Sequence, residues 1–147
     1  MGRSSVAWLG AAALAAACVT HRTVLTPGTT AAATPTIVEG IVRTALQLDA
    51  ALDRAADTLY APDASVIANA QVRLNAPRFA GVTYGGRVTV ATASVTLLGR
   101  FAWVLVEYRW TGARQAEAGR ATIILEDRKG SWRIVHMHSS QQLPWDR

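Results

Sequence analysis

Residues 101–110, FAWVLVEYRW, decide the fold class of this chain. Side chains alternate between the two faces of a strand. Alternation divides the run into two sets, Phe101, Trp103, Leu105, Glu107 and Arg109 on one face and Ala102, Val104, Val106, Tyr108 and Trp110 on the other. Both sets are mainly apolar, and a strand that is apolar on both faces is covered on both. We expect helices on one face and a second copy of the chain on the other, so this run predicts a homodimer.

Three further strand-like runs flank this one, namely Arg87–Leu97, Gly119–Asp127 and Ser131–Ser139. The connections between the four runs are Leu98–Arg100, Gly112–Ala118 and Arg128–Gly130. All three connections are short enough for antiparallel hairpins. The second half of the chain is therefore predicted to form an antiparallel meander.

The first part of the folded unit has a helical period instead. Thr36 and Glu39 have the spacing of a capping box, which predicts a helix start. Apolar or small residues then recur every three or four positions for about 22 residues, up to Leu59. Asp49 and Asp53 are better at helix starts than in helix interiors, so we expect two helices with a break near Asp49.

Ala61-Pro62-Asp63 is expected to end the helical region, because Pro62 disfavours helical geometry at the residue before it. Two shorter elements are predicted before the meander. Ala64–Ala70 reads as a short strand, and Asn75–Tyr84 as a short helix capped by Asn75. Helices followed by a meander predict an α+β domain, in which N-terminal helices pack on a strongly curved antiparallel sheet.

The N-terminal segment has the pattern of an export signal. Residues 1–17 place Arg3 before an apolar run that small residues close. This run is shorter than the ~20 residues that a membrane-spanning helix needs. Cys18 follows three alanines, so we predict a bacterial lipoprotein signal, with lipid on Cys18 and residues 18–35 as a flexible tether to the cell envelope, facing the periplasm or the outside. The alternative is an ordinary signal peptide cut nearby, which would give a soluble secreted protein.

Length and composition limit the remaining possibilities. The 147 residues allow about one domain, which we assign to residues 36–147. Half of the residues are hydrophobic and the mean hydropathy is +0.17, values typical of a globular chain. The formal net charge is +5, but the basic residues are scattered and an exported protein would not meet nucleic acid, so we expect no nucleic-acid partner.

The folded unit resembles a known family, the SnoaL-like domains of the nuclear transport factor 2-like superfamily. The residues that carry the resemblance are Ala55–Ser65, Tyr84–Val90 (YGGRVTV), Val106–Thr111 (VEYRWT) and Gly119–Ser140, which contains WRIVHMHSS. The resemblance implies a cone-shaped, cystatin-like roll with a pocket between helices and sheet, usually in a dimer. It implies no single reaction, since the superfamily includes steroid isomerases, polyketide cyclases, epoxide hydrolases and dehydratases alongside members that only bind or assemble.

The last predicted strand carries the strongest candidates for chemistry. Alternation places Trp132, Ile134, His136 and His138 on one face, so both imidazoles would point toward the pocket mouth. Two histidines there suit general acid–base catalysis. They would also suit a metal, but no third ligand stands at a recognisable spacing, so we expect no metal and no cofactor. The alternative is a pair of histidines that only make hydrogen bonds across the sheet.

Other candidate residues lie on the neighbouring elements. Glu107 shares a face with Arg109, and on the inner face its carboxylate would have a raised pKa and be able to abstract a proton. On the outer face it would form an ion pair with a neighbouring strand, and alternation alone leaves both possibilities open. The predicted ligand-binding set adds residues at the helix–strand junction and aromatic residues, namely Tyr60, Asp63, Tyr84, Tyr108 and Trp132.

Two functions remain open. The first is a binding module that holds a small apolar molecule in the cone pocket or acts as a dimeric interaction unit. The second is an isomerase, cyclase or hydrolase that uses His136 or His138 with Glu107 or Asp63. The sequence contains no G-x-S-x-G, P-loop or G-x-G-x-x-G motif, which leaves serine hydrolase, nucleotidase and dinucleotide chemistry without support. It also lacks a complete catalytic set, which favours the binding module.

Overall fold

The helical elements precede the sheet, as the sequence predicts. A computed structural model of the chain describes residues 35–142. It contains helix α1 (Pro35–Ala50), a 3-10 helix (Arg54–Leu59) and the strands β1 (Tyr60–Ala68), β2 (Gln71–Val72), β3 (Arg87–Leu98), β4 (Phe101–Thr111), β5 (Ala116–Arg128) and β6 (Ser131–Gln141). The predicted signal peptide, Cys18 and most of the predicted tether lie outside the described residues.

The strands form one curved sheet with the order β2-β1-β6-β5-β4-β3. Strands β3 to β6 pair antiparallel as consecutive neighbours, so the predicted meander is confirmed. β1 pairs antiparallel with β2 but parallel with β6, which joins the first strand of the sheet to the last. The ladders shift register between Val90 and Thr92 in β3 and at Val135 in β6; such bulges bend strands and increase their twist.

Helix α1 packs its apolar stripe against the inner face of this sheet. Val38, Val42, Ala45 and Leu46 are buried, at the spacing expected for one helix face. Thr36 is not the N-cap of the helix, because α1 already begins at Pro35, and Glu39 accepts a hydrogen bond from Arg43 Nε at 2.8 Å. The α+β class, with N-terminal helices on a curved sheet, is confirmed.

The predicted break in the helical region lies just after Ala50. Leu52 has a φ of 55°, a left-handed conformation that a helix interior does not tolerate. Asp53 then caps the 3-10 helix through a 2.8 Å hydrogen bond from the backbone N–H of Ala55. The second helical element is thus a 3-10 helix. Asp49, predicted to start a helix, lies in α1 and is fully buried.

Two local predictions are wrong. Residues 61–63 do not end the helical region, because β1 already begins at Tyr60. Residues 75–84 form an irregular segment instead of a helix. Its backbone groups bond to side chains of distant elements: Ser139 Oγ accepts from Ala80 N at 3.0 Å, and Tyr108 OH donates to Ala80 O at 2.7 Å. These tertiary hydrogen bonds replace the bonds within a helix.

Strand β4 shows how the two faces of the sheet differ. Ala102, Val104, Val106, Tyr108 and Trp110 are buried against α1 and residues 78–82. The residues between them point outward, and Phe101, Trp103 and Leu105 are 36%, 49% and 54% exposed. The two apolar faces predicted from residues 101–110 therefore exist, one packed inside the chain and one open to its outside.

Candidate binding site on the outer face of the sheet

The inner face of the sheet is occupied by the chain itself. Phe79, Ala80 and Val82 are buried between α1 and the sheet. The Phe79 ring meets the Tyr108 ring edge-on, with centroids 5.5 Å apart. Trp110 Nε1 donates a 2.8 Å hydrogen bond to Thr83 O at the end of the segment. Residues 78–83 thus fill much of the space where the resemblance implies a pocket. A groove of about 270 Å³ remains between α1 and β3, lined by Arg43, Leu46, Gln47, Val88, Thr89 and Val90.

A buried carboxylate fastens this segment to helix α1. Asp49 accepts hydrogen bonds from Phe79 N and from Arg78 Nη1, each at 3.2 Å, and also from Arg78 N. Burial raises the pKa of the Asp49 carboxyl, although these hydrogen bonds act in the opposite direction. Asp49 follows Val42 and Ala45 on the buried stripe of α1. That spacing is a sequence signal that could have identified this contact.

Arg78 connects Asp49 to two further polar residues. Its guanidinium forms an ion pair with Asp57 and lies over the Tyr60 ring, 4.5 Å from the ring centroid. Burial lowers the pKa of Arg78, but the hydrogen bond to Asp57 and the nearby negative groups raise it overall. The cluster of Asp49, Asp57, Tyr60 and Arg78 therefore ties together α1, the 3-10 helix, β1 and the irregular segment.

The predicted ligand-binding residues do not converge on one pocket. Tyr60 and Tyr108 are buried inside, and burial raises the pKa of both phenols. The Tyr60 hydroxyl is buried without a hydrogen-bond partner among residues 35–142. Tyr84 is 72% exposed, and Trp132 is half-buried against the core.

Asp63 lies outside this interior. It is exposed and forms a two-bond ion pair with Arg128 at 2.9 and 3.0 Å. The hydrogen bonds from Arg128 hold the pKa of the Asp63 carboxyl below its usual range. Asp63 thus links β1 to the hairpin between β5 and β6.

The bulge at Val135 reverses the predicted orientation of the two histidines. Leu125 pairs with Ile134, while the next residue back, Ile124, pairs with His136. Ile134 consequently faces the core, whereas His136 and His138 lie on the outer face of the sheet. The prediction that the histidines share a face with Ile134 and point to an inner pocket is wrong, because one extra residue in β6 exchanges the faces.

Glu107 and Arg109 also lie on the outer face. Glu107 Oε1 accepts a 2.9 Å hydrogen bond from Arg120 Nε on the adjacent strand β5. Of the two possibilities left open by alternation, the structure shows the ion pair with a neighbouring strand.

Two adjoining grooves mark the outer face. The polar groove, of about 430 Å³, is lined among others by Ser94, Leu105, Glu107, Arg120, Thr122 and His138. The apolar groove, of about 510 Å³, is lined by Thr96, Leu97, Leu98, Phe101, Trp103 and Ile124. The structure thus brings two predicted catalytic candidates, Glu107 and His138, to one groove. It places this groove on the face of the sheet opposite to α1.

The described part of the chain contains neither a metal-binding cluster nor a membrane-spanning helix. Within residues 35–142, no group of three or more His, Cys, Asp or Glu side chains is placed to hold a metal ion. No helix in the same range is long and apolar enough to cross a membrane.

Comparison with solved structures identifies the class of fold. A nuclear transport factor 2-like superfamily protein from Salmonella enterica superposes with a TM-score of 0.61 at 16% identity, covering 74% of this chain and 91% of its own. A ketosteroid isomerase-like protein from Erwinia carotovora gives 0.58 at 16% identity, covering 74% and 96%. An NTF2-like protein of unknown function in nutrient uptake from Rhodospirillum rubrum gives 0.57 at 22%, covering 75% and 99%. At these identities the likeness shows the nuclear transport factor 2-like fold alone.

The family follows from the sequence itself. The family model of the SnoaL-like domain matches residues 47–144, more than half of the chain. The chain belongs to the SnoaL-like domain family, as the resemblance predicts. A comparison with curated proteins gives no significant match.

Proposed function

We propose that this SnoaL-like chain is a binding module that takes up a small, largely apolar molecule on the outer face of its sheet. The observation that carries the proposal is the apolar groove. Its volume of about 510 Å³ lies within the ~300–1,000 Å³ range of small-molecule sites. Its walls are almost entirely aliphatic and aromatic side chains, and polar groups stand at one end in the adjoining groove.

The packing of the interior supports placing the site outside the cone. Asp49, Tyr108 and Ser139 each hold residues 78–80 by hydrogen bonds, and a ligand in the same space would have to break them. An unsatisfied buried polar group costs ~1–3 kcal/mol. A ligand on the outer face meets no such cost and covers side chains that water already contacts.

The exposed apolar side chains supply the driving force for ligand binding. Trp103 and Phe101 are 49% and 36% exposed, and Leu98 is 62% exposed. Full removal of a large apolar side chain from water contributes about 1.5–3 kcal/mol. A micromolar complex corresponds to a binding free energy of about 8 kcal/mol. Covering these three partly exposed side chains reaches that value only if the ligand also buries apolar surface of its own. A mainly apolar ligand is therefore expected.

Binding of the neutral dye Nile red tests this proposal. The full chain should enhance the dye's fluorescence, and Trp103→Gln should abolish most of the enhancement. Leu74→Gln is the matched control, because Leu74 is 78% exposed but lies outside both grooves. Equal loss in the two variants, or full retention in Trp103→Gln, contradicts a site in the apolar groove.

A homodimer through the same face is the second candidate. The observation that favours it is the continuation of exposed apolar residues past the groove to Leu105, since large exposed apolar patches commonly mark protein interfaces. Light scattering after size-exclusion chromatography should then give twice the chain mass, and Leu105→Arg should restore the single mass. A single mass for the unchanged chain at ~0.1 mM, a concentration well above the micromolar range, excludes this candidate.

An isomerase, cyclase or hydrolase activity is supported by one observation. Glu107 and His138 line the same groove, so a substrate there would meet a carboxylate and an imidazole. The Glu107 carboxylate is already paired with Arg120, so a substrate would have to compete with that ion pair. If the chain converts a substrate, loss of that conversion in both the Glu107→Gln and the His138→Gln variant would support an enzyme over a binding module.

The place of the module in the cell is proposed from its first residues. We propose that Cys18 carries lipid and tethers the domain to the bacterial cell envelope. Metabolic labelling with a fatty-acid analogue should mark the unchanged chain and not Cys18→Ala. Equal labelling of the two chains contradicts the anchor, and release of unlabelled protein into the medium supports the soluble secreted alternative.

A further inference from the structure

We propose that the two grooves together bind one single-chain amphiphile with an acidic head group, such as a long-chain fatty acid. The inference rests on the binding function proposed above and adds the chemical class of the ligand. The alkyl chain lies in the apolar groove, and the carboxylate lies in the polar groove near Arg120.

The pairing of the strands makes the two grooves one elongated site. Trp103 stands opposite Ile124, and the neighbouring outward position, Leu105, stands opposite Thr122. The first pair lines the apolar groove and the second lines the polar groove. Glu107 at one end lies six positions after Phe101 at the other. At ~3.3 Å per residue this is about 20 Å, a length that suits an extended fatty acid and exceeds that of a compact ring system.

The two ends of the site differ in chemistry. At the apolar end, the side chains of Leu98, Phe101 and Trp103 consist of hydrocarbon and ring atoms with one indole N–H, and the Arg100 guanidinium lies 5.2 Å from the Phe101 ring centroid. An alkyl chain there gains about fourfold in affinity for each methylene it buries. A ligand long enough to reach from this end to the polar groove is selected over a shorter one.

The polar end carries more positive than negative charge on the outer face. Arg109 and Arg120 flank Glu107, with Arg120 at 2.9 Å from it and Arg109 two residues along the same strand. The Arg120 side chain is 62% exposed and uses Nε for Glu107. A guanidinium has five N–H donors, so Arg120 has further donors for a carboxylate. His138 and Thr122 line the same groove and add a ring nitrogen and a hydroxyl that suit a carboxylate.

Calorimetric titration of the full chain tests this assignment with three probes below their critical micelle concentrations. Laurate should bind with one molecule per chain. Octanoate has the same head and a shorter tail and should bind at least a hundredfold more weakly, from about fourfold per methylene. Dodecyltrimethylammonium has a tail one carbon longer and a cationic head, and despite the longer tail it should bind at least tenfold more weakly than laurate.

A pair of matched variants locates the head group. Arg120→Gln should weaken laurate about tenfold, because a hydrogen bond between charged groups contributes roughly one to two powers of ten. Arg43→Gln is the control, since Arg43 also forms an exposed ion pair with a glutamate, Glu39, but stands on helix α1. The control should bind laurate as the unchanged chain does.

Each other result has a defined meaning. Equal affinity for laurate and dodecyltrimethylammonium, or equal effects of Arg120→Gln and Arg43→Gln, overturns the acidic head group. Nile red binding that depends on Trp103 would then leave the proposed function standing. A chain of doubled mass that binds none of the three probes overturns the amphiphile and assigns the face to a second copy. Several laurate molecules per chain without saturation indicate unspecific adsorption and also overturn the site.

Discussion

Replacing Asp49 by alanine tests the interior of this fold most directly. The Asp49 carboxylate is fully buried and accepts three hydrogen bonds, two from backbone N–H groups and one from the Arg78 guanidinium. Removing it leaves all three donors without that acceptor and leaves Arg78, which is itself buried, with Asp57 as its remaining charged partner. Breaking a buried ion pair from one side costs about 3–5 kcal/mol.

That loss is large compared with the whole stability of a small domain, which is ~5–15 kcal/mol. Urea unfolding followed by circular dichroism should show the midpoint of Asp49→Ala lowered by roughly 1–5 M, given slopes of ~1–3 kcal/mol/M. Asp49→Asn retains an oxygen acceptor and should lose less. The milder variant remains measurable if the alanine variant does not fold.

The matched control is Asp53→Ala, which removes a carboxylate that is exposed and caps the 3-10 helix by one hydrogen bond to Ala55 N. Loss of such a cap costs about 0.5–2 kcal/mol. The reasoning is refuted if Asp49→Ala is no less stable than Asp53→Ala. It is also refuted if hydrogen exchange at Phe79 and Ala80 is unchanged in Asp49→Asn, since Asp49 is held to fix that segment.

Three further outcomes are expected. The pKa of the Asp63 carboxyl, measured by NMR titration, should lie below its usual range, and Arg128→Gln should return that pKa to the usual range. Because the pKa of Asp63 is lowered in the folded chain, the ion pair stabilises the fold above the unfolded pKa. This stabilisation is lost as the pH falls through the folded pKa. Gly119→Ala should destabilise the fold by ~1–3 kcal/mol, because an added Cβ would stand 2.4 Å from the Tyr108 ring, whose hydroxyl is hydrogen-bonded; chemical denaturation measures it. Leu46→Ala should lose ~2–5 kcal/mol, since Leu46 is fully buried; thermal unfolding with an unchanged transition would contradict this packing.

The four strands of the meander and their order could be predicted because the information is local. Residues 101–110 alternate in two apolar sets, and Gly99 and Gly130 stand at the turns of the two tight hairpins with φ of 58° and 83°. Period and turn residues act over two to five positions. They therefore fixed β3 to β6 within about three residues of the structure.

The irregular segment could not be predicted in the same way. Asn75 followed by Pro77 has the local pattern of a helix start, but the backbone of Ala80 bonds to Ser139 and Tyr108. These partners are 59 and 28 positions away in the chain. No local pattern indicates which distant side chain satisfies a backbone group.

The candidate site likewise has a part that local sequence indicates and a part that depends on long-range contacts. Glu107 and His138 could be chosen from the sequence, since charged and titratable side chains on apolar strands are conspicuous. Their meeting in one groove, together with Arg120, depends on the register of three strands. The face on which they meet depends on the bulge at Val135, which has no recognisable signature in the run Trp132–Ser139.

The sequence by itself determined the α+β class and the meander, because hydrophobic period and turn residues are local properties. It also determined the membership of the SnoaL-like family, through the match of residues 47–144 to the family model. Only the tertiary structure decided that Asp49 and Arg78 form a buried ion pair inside the domain and that His136 and His138 face outward. It also decided that two grooves adjoin on the outer face. Burial, ion pairing and strand register are formed between residues far apart in the chain, and a single bulge exchanges the faces of a strand.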